Sequence, residues 1–319
     1  MAEIVEQLLE SEEPSVRYKV RVGVLGEGEG SRAIRALREE IRESARVRAL
    51  LSERSPDGTL THHPYHKWLG SHWVLTMLAD LGYPTGDRSL EPMVDRASAW
   101  ALDQKPVWID GRPRRCASQE GNALLYMIRL GLADERCDRL AEKLVELQWP
   151  DGGWNCDRRP EACHSSFHES LIPMRALYAY ANATGDEEAK VAAGKTAGMF
   201  LERELLYRKS TGELIRPRFA MTHYPYFWQY NFLHCLRAMT EAGLVRDRGC
   251  VRALDLLESK RLPDGGFPAE KRYFSVPRSA RTRRRSGHIA VGWGPTGATR
   301  SNEFVTAEAL TVLTAAGRV

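Results

Sequence analysis

Cysteine is scarce in this chain. Six thiols, at 116, 137, 156, 163, 235 and 250, are too few and too unevenly spaced over 319 residues for a disulfide scaffold, so buried thiols or a metal site are expected instead. Net charge is small as well. The 46 basic and 42 acidic residues leave +4, too weak a field for nonspecific nucleic-acid binding, and no nucleic-acid partner is expected. No run of 18 uncharged apolar residues occurs, so no transmembrane segment is expected. The start, Met1-Ala2-Glu3-Ile4-Val5-Glu6, lacks the basic and apolar stretches of a signal peptide, and a cytoplasmic location is expected. What is present is a globular composition, with 43% apolar residues to bury and 28% charged residues to keep the surface wet.

One phrase recurs: Arg54-Ser55-Pro56-Asp57-Gly58, Gln148-Trp149-Pro150-Asp151-Gly152 and Arg261-Leu262-Pro263-Asp264-Gly265. A leucine (Leu50, Leu144, Leu257) stands four residues before each, the spacing that keeps a helix's apolar face in phase with its last turn. Pro-Asp-Gly then ends the helix, because proline presets the turn, Asp bonds its own backbone and Gly accepts positive φ. Weaker copies at Asp110-Gly111 and Thr211-Gly212 give turns at 57, 110, 151, 211 and 264, separated by 53, 41, 60 and 53 residues. Such steps suit two helices and two loops per unit, so about five helical hairpins are expected.

The segments after the turns, 62–81, 116–132, 163–180, 222–242 and 301–316, are rich in aromatic and aliphatic residues, whereas those alternating with them carry charge on one face. That contrast predicts an inner ring of helices inside an outer ring, an all-α fold in one domain spanning 1–319. Two amphipathic helices before residue 50 are expected to cap or close the ring, and 271–300 reads as a basic insert loop.

The phrase resembles the repeat of the squalene-cyclase and protein prenyltransferase superfamily, in which a basic residue, a small residue, an aromatic and an aliphatic precede Gln-x-x-x-Gly-x-Trp. Gln148, Gly152 and Trp154 match it, preceded by Arg139 and Leu144. A second copy runs Arg252, Ala253, Leu256, Leu257, Arg261, Gly265 and Phe267. The resemblance covers roughly residues 44–317 and implies the α/α toroid of terpenoid cyclases. It also implies an isoprenoid or other apolar substrate in a central cavity. The Asp-x-Asp-Asp acid of triterpene and class II diterpene cyclases is missing, as is an Asp-Asp-x-x-Asp magnesium motif, so acid-initiated cyclisation is not expected. Phe167-His168 stands where prenyltransferase β subunits carry a zinc histidine. Their Asp-x-Cys pair one repeat earlier is replaced by Ser118-Gln119-Glu120.

Candidate chemistry gathers in three stretches. Residues 156–169 hold Cys156, Cys163, His164 and His168, a donor set that suits zinc if His164 and His168 share a helix face, with backbone-bonded histidines and small apolar cysteines as the alternative. The aromatic stretch 221–232 offers His223, Tyr226, Trp228 and Tyr230 to line a cavity or stabilise a cation, or simply to pack inner helices against outer ones. The stretch 62–73 offers Trp68 and His72 in the same style. In the insert, Arg281 and Arg284 are candidate diphosphate ligands, against the plain reading of a solvated loop. His168, Glu120, His223 and Tyr226 are the candidate catalytic groups. The rival readings are a sugar-acting toroid enzyme, for which Glu120, Glu169 and Asp157 would supply acids, and a noncatalytic binding or scaffold protein. Cavity lining separates them: aromatic and dry for an isoprenoid, acidic for a sugar, filled by side chains for a scaffold.

Overall fold

A computed structural model describes residues 2–277, 285–289 and 291–318. The first helices are α1 (Ala2–Leu9), α2 (Pro14–Gly23), α3 (Arg32–Arg42), α4 (Ala45–Leu50), α5 (Ser71–Leu81) and α6 (Glu91–Asp103). A two-stranded antiparallel hairpin, β1 (Val107–Ile109) and β2 (Arg112–Arg114), precedes α7 (Ala117–Arg129) and α8 (Glu135–Glu146). Then come α9 (Phe167–Thr184), α10 (Glu187–Leu201), α11 (Phe232–Glu241), α12 (Val251–Glu258) and α13 (Glu303–Ala316). No described helix is long and apolar enough to cross a membrane.

The repeated phrase builds one repeated turn. In each strong copy the glycine takes positive φ (+83° at Gly58, +94° at Gly152, +81° at Gly265). Each carries the same two backbone bonds: Gly58 N to Ser55 O with Ser55 N to Thr59 O, and likewise 152/149 with 149/153, and 265/262 with 262/266. The acidic residue then reaches the start of the next inner helix. Asp151 accepts from the Ser165 hydroxyl and Asp264 from the Ser301 hydroxyl, at separations of 14 and 37 residues, so the insert adds 23 residues (37 − 14) to an otherwise equivalent loop. Gln148 donates its side-chain amide to Gly152 O and across to Ala192 O on α10. Trp154, fully buried, donates to Leu144 O.

These turns set the ring. α2 meets α5, α5 meets α7, α7 meets α9, α9 meets α11, α11 meets α13, and α13 returns to α2, while α3, α6, α8, α10 and α12 back their inner partners. The toroid expected from the repeat is therefore closed, with six inner helices. Five come from the expected segments and the sixth is α2. A Cβ on Gly58 would press on Pro92 of α6, and one on Gly152 would lie 2.8 Å from Lys195 O of α10; the same position on Gly265 faces Ile4 of α1. Helix α1 thus takes the sixth outer place, and the N-terminal segment is part of the ring wall. Gly121 lets α7 come against α9, where a Cβ would lie 2.8 Å from the Pro173 nitrogen.

The inner helices begin later than the sequence suggested. Residues 62–70 and 222–231 are irregular, the second stretch almost wholly buried and the first partly so, and α9 starts at Phe167. Pro64 and Pro225 break the helical path in these two stretches, and Asn231 caps α11 by accepting from His234 N at 2.8 Å.

The ring axis is filled. Lys19 of α2 lies 3.2 Å from Asp80 of α5 and 2.7 Å from Glu308 of α13; Arg237 of α11 lies 3.1 Å from Glu308. Glu241 of α11 takes Arg175 of α9 at 2.8 Å and Arg129 of α7 at 2.7 Å. Every inner helix thus contributes a charge. Tyr224, from the buried segment, bonds Asp80 with its hydroxyl. Burial alone would raise the Asp80 carboxyl, but Lys19 and the Tyr224 hydroxyl hold it down to about 2. The void left between Thr76, Asp80, Asn122, Tyr126, Arg129, Arg175 and Tyr226 is about 20 Å³. That is room for roughly one water, far below the ~300–1,000 Å³ of ordinary ligand pockets. The expected apolar central cavity is absent among the described residues.

Candidate functional site

The inner helices run parallel: the first turns of α7 and α9 meet at one mouth of the ring, and Arg129, at the end of α7, meets Glu241, at the end of α11, on the other side. At the first mouth the parallel bridge between Arg114 and Asn155, with Arg115 N donating to Asn155 O at 3.0 Å, lays the strand before α7 beside the loop after Trp154. Cys116 and Cys156, 40 residues apart in sequence, become neighbours. Glu169, in the first turn of α9 and 4% exposed, closes the group, and the ligand atoms of Cys116, Cys156 and Glu169 all lie within 4.8 Å of one another.

Each member is held. The Cys156 thiol reaches Glu169 Oε1 at 3.5 Å, and Ser118 N, in the first turn of α7, donates to Glu169 Oε2 at 3.0 Å. Burial raises the Glu169 carboxyl above the usual range. The Cys116 thiol is lowered, first by a hydrogen bond from Cys156 and further by the charges of Arg158 and Arg115, while that bond and burial raise Cys156. Tyr65 lies beside this group, its phenol pushed up to about 12 by burial and by the charges of Cys116 and Glu169.

Next to Tyr65 is an aromatic cage. The Lys67 ammonium lies 5.6 Å from the Tyr65 ring centre, 5.7 Å from Trp68 and 5.3 Å from Trp228. Trp68 is buried and stacks on Phe227 at 3.7 Å; Trp228 is half-buried.

The four expected metal ligands do not assemble. Cys156 pairs instead with Cys116 and Glu169; Cys163 and His164 are exposed, and His164 lies outside α9, so it shares no helix face with His168. His168 accepts from Tyr230 N at 2.8 Å through Nδ1, between Phe219 and Trp228, and burial, with Arg218 and Arg216 adding to it, pushes it down to about 4. It anchors the 222–231 segment. Glu120 does not face a cavity: it is buried on the outer side of α7 against Arg115, with Lys143 at 3.4 Å. His223 bonds the Asn231 side chain at 2.8 Å, and burial takes it down to about 3. Tyr226 stacks on His234 at 4.2 Å, deep on the axis. Tyr230 is buried and bonds Leu205 O. His72, in the first turn of α5, is fully buried among Trp73, Trp100 and Tyr126. Of the candidate substrate residues, Trp68 and Trp228 remain at the mouth, whereas Arg281 and Arg284 lie outside the described residues. Sequence reasoning did not single out Cys116, Tyr65 or Lys67. A search for cysteines just before predicted inner helices would have found Cys116.

No family model matches this sequence, and no curated protein matches it. Among solved structures, the chain is similar to a type II terpene cyclase, MstE, from Scytonema. Against its apo form the identity is 12% and the TM-score 0.47, and against its complex with geranylgeranyl dihydroxybenzoate they are 14% and 0.46; each covers 97% of this chain and 88% of the other. It is also similar to a protein from Actinoplanes at 16% identity and TM-score 0.42, over 96% of this chain and 89% of that one.

Proposed function

We propose that this protein handles an isoprenoid-like or other apolar substrate across the mouth of the ring and stabilises positive charge on it. The observation that carries this reading is the aromatic cage. Three ring faces converge on one cation position, now taken by the chain's own Lys67 ammonium. Desolvated cation–π contacts are worth about 2 kcal/mol, and a tertiary carbocation or ammonium on an apolar chain suits such a cage better than a strongly hydrated lysine. Tyr65 carries the cage to Cys116, Cys156 and Glu169, so polar chemistry lies beside the charge-stabilising wall. Substrate bound this way lies at the mouth, since the axis is occupied.

The test compares a long-chain tertiary amine with the neutral alcohol of equal length, by isothermal titration, on wild type, Lys67→Met and Trp228→Leu. The amine is expected to bind at least about tenfold more tightly than the alcohol. Lys67→Met should strengthen its binding and Trp228→Leu weaken it. Equal affinity for amine and alcohol in both wild type and Lys67→Met would end the proposal. The filled axis favours a second reading, a noncatalytic scaffold, which predicts that neither probe binds.

A further inference from the structure

The mouth holds a second feature that stands apart from any apolar ligand: two thiols and a buried carboxylate facing one another across a few ångströms. We infer that Cys116, Cys156 and Glu169 form a three-ligand zinc site whose fourth position is open to water or substrate.

Geometry is the first argument. Zinc binds thiolate at about 2.3 Å and carboxylate oxygen at about 2.0 Å in tetrahedral sites, which places such ligands about 3.5 Å apart. Cys156 Sγ and Glu169 Oε1 are 3.5 Å apart already. The ligands come from three segments tied together by backbone: β2 leads into Cys116, the Arg114–Asn155 bridge fixes the Cys156 loop, and the first turn of α9 carries Glu169. The site is assembled before any ion arrives.

Ligand chemistry selects the ion. Two soft sulfurs with one carboxylate favour zinc over magnesium or calcium, which prefer oxygen throughout. The outer support that such sites use is present, because Ser118 N–H holds the second oxygen of Glu169 and leaves Oε1 turned toward the sulfurs. Two thiolates and a carboxylate around one divalent ion leave one negative charge, and Arg115 and Arg158 lie near enough to offset it. Zinc takes the place of one proton on each of the two thiols, and of any proton on Glu169; these protons go to solvent and no electrons move. Three protein ligands are the pattern of zinc sites that do chemistry; closed four-ligand sites are structural.

The experiment is metal analysis of the full chain purified under reducing conditions without chelator, then stripped and reloaded with zinc or cobalt. About one zinc per chain is expected, and the cobalt form should show a thiolate-to-cobalt charge-transfer band in the near ultraviolet with the strong visible bands of four-coordination. Cys116→Ser, Cys156→Ser and Glu169→Gln should each lose zinc by at least about tenfold in affinity. Should a variant fail to fold, as judged by its far-ultraviolet circular dichroism, the cobalt spectrum of the wild type decides. Zinc content near zero after reloading, a cobalt spectrum without the charge-transfer band, full zinc retention in folded Cys116→Ser/Cys156→Ser, or recovery of the two cysteines as a disulfide would each overturn the site. Amine and alcohol binding at the cage is read separately, so loss of one result leaves the other standing.

Discussion

Acid should unfold this protein through its buried histidines well before its carboxylates titrate. His72, His223 and His234 are each at most 1% exposed. His72 has neither ring nitrogen bonded, His223 bonds the Asn231 amide, and His234 faces the Arg175 guanidinium at 2.8 Å. Burial pushes His72 and His223 down to about 3, and burial followed by the Arg175 charge pushes His234 well below the ordinary value. An unfolded histidine titrates near 6.5, so below that pH the unfolded state takes up protons that the folded state refuses. Stability is therefore complete above about pH 6.5 and falls as pH drops toward 3. At pH 5 each of these three should cost about 2 kcal/mol, and His168, pushed down to about 4, adds a similar loss, for about 8 kcal/mol in all, a large share of a typical 5–15 kcal/mol. Asp80, held at about 2, adds its own loss only at lower pH. Urea unfolding followed by circular dichroism at pH 7.5, 6.5, 5.5 and 5.0, in EDTA, measures the loss. His72→Leu isolates one member: it should be neutral or stabilising at pH 7.5, since it removes a buried group whose ring nitrogens have no partner, and should remove about a quarter of the pH dependence. A midpoint that stays level down to pH 5, or a slope that His72→Leu leaves intact, would refute the assignment of these rings as buried neutral groups.

Other substitutions test the ring itself. Gly152→Ala places a Cβ at φ +94° and 2.8 Å from Lys195 O, and should cost about 1–3 kcal/mol by thermal melt. Glu241→Gln leaves Arg175 and Arg129 short of their carboxylate on the axis, and a loss of about 3–5 kcal/mol in urea is expected. His168→Ala deletes the acceptor of Tyr230 N and should lower the melting temperature, while His164→Ala, at an exposed position, should leave it unchanged.

Much of the ring was legible because its turns are local chemistry. Pro-Asp-Gly, with a leucine four residues ahead, specifies a stop and a positive φ within a few residues, and the backbone of all three copies folds alike. Apolar content located the inner segments for the same reason. It could not say where each helix starts, because a buried irregular stretch and a buried helix have the same composition. Residues 222–231 escape helix because Pro225 lacks an N–H, and their polar groups are satisfied from elsewhere: Thr222 by Pro268 and Glu270, His223 by Asn231, Tyr230 N by His168. Helix α2 was not placed in the inner ring because Lys19 reads as a surface residue until Asp80 and Glu308, 61 and 289 residues away, are brought to it.

The site was less legible, since its members meet only through the fold. Cys163, His164 and His168 are close in sequence but do not gather into one ligand set, whereas Cys116 and Cys156, far apart in sequence, do. The ring also has a polarity. Parallel inner helices point their N-termini at one mouth and their C-termini at the other, so the first mouth carries positive partial charge and the second negative. On the axis, Lys19, Arg129, Arg175 and Arg237 outnumber Asp80, Glu241 and Glu308 by one cation. At the near mouth Cys116 stands at the start of α7 and Glu169 in the first turn of α9, where partial positive charge favours thiolate and carboxylate. Helix direction thus bears on the mouth, whereas the axis is knit by its own ion pairs. The reactive groups collect at the mouth because the interior has no room for them.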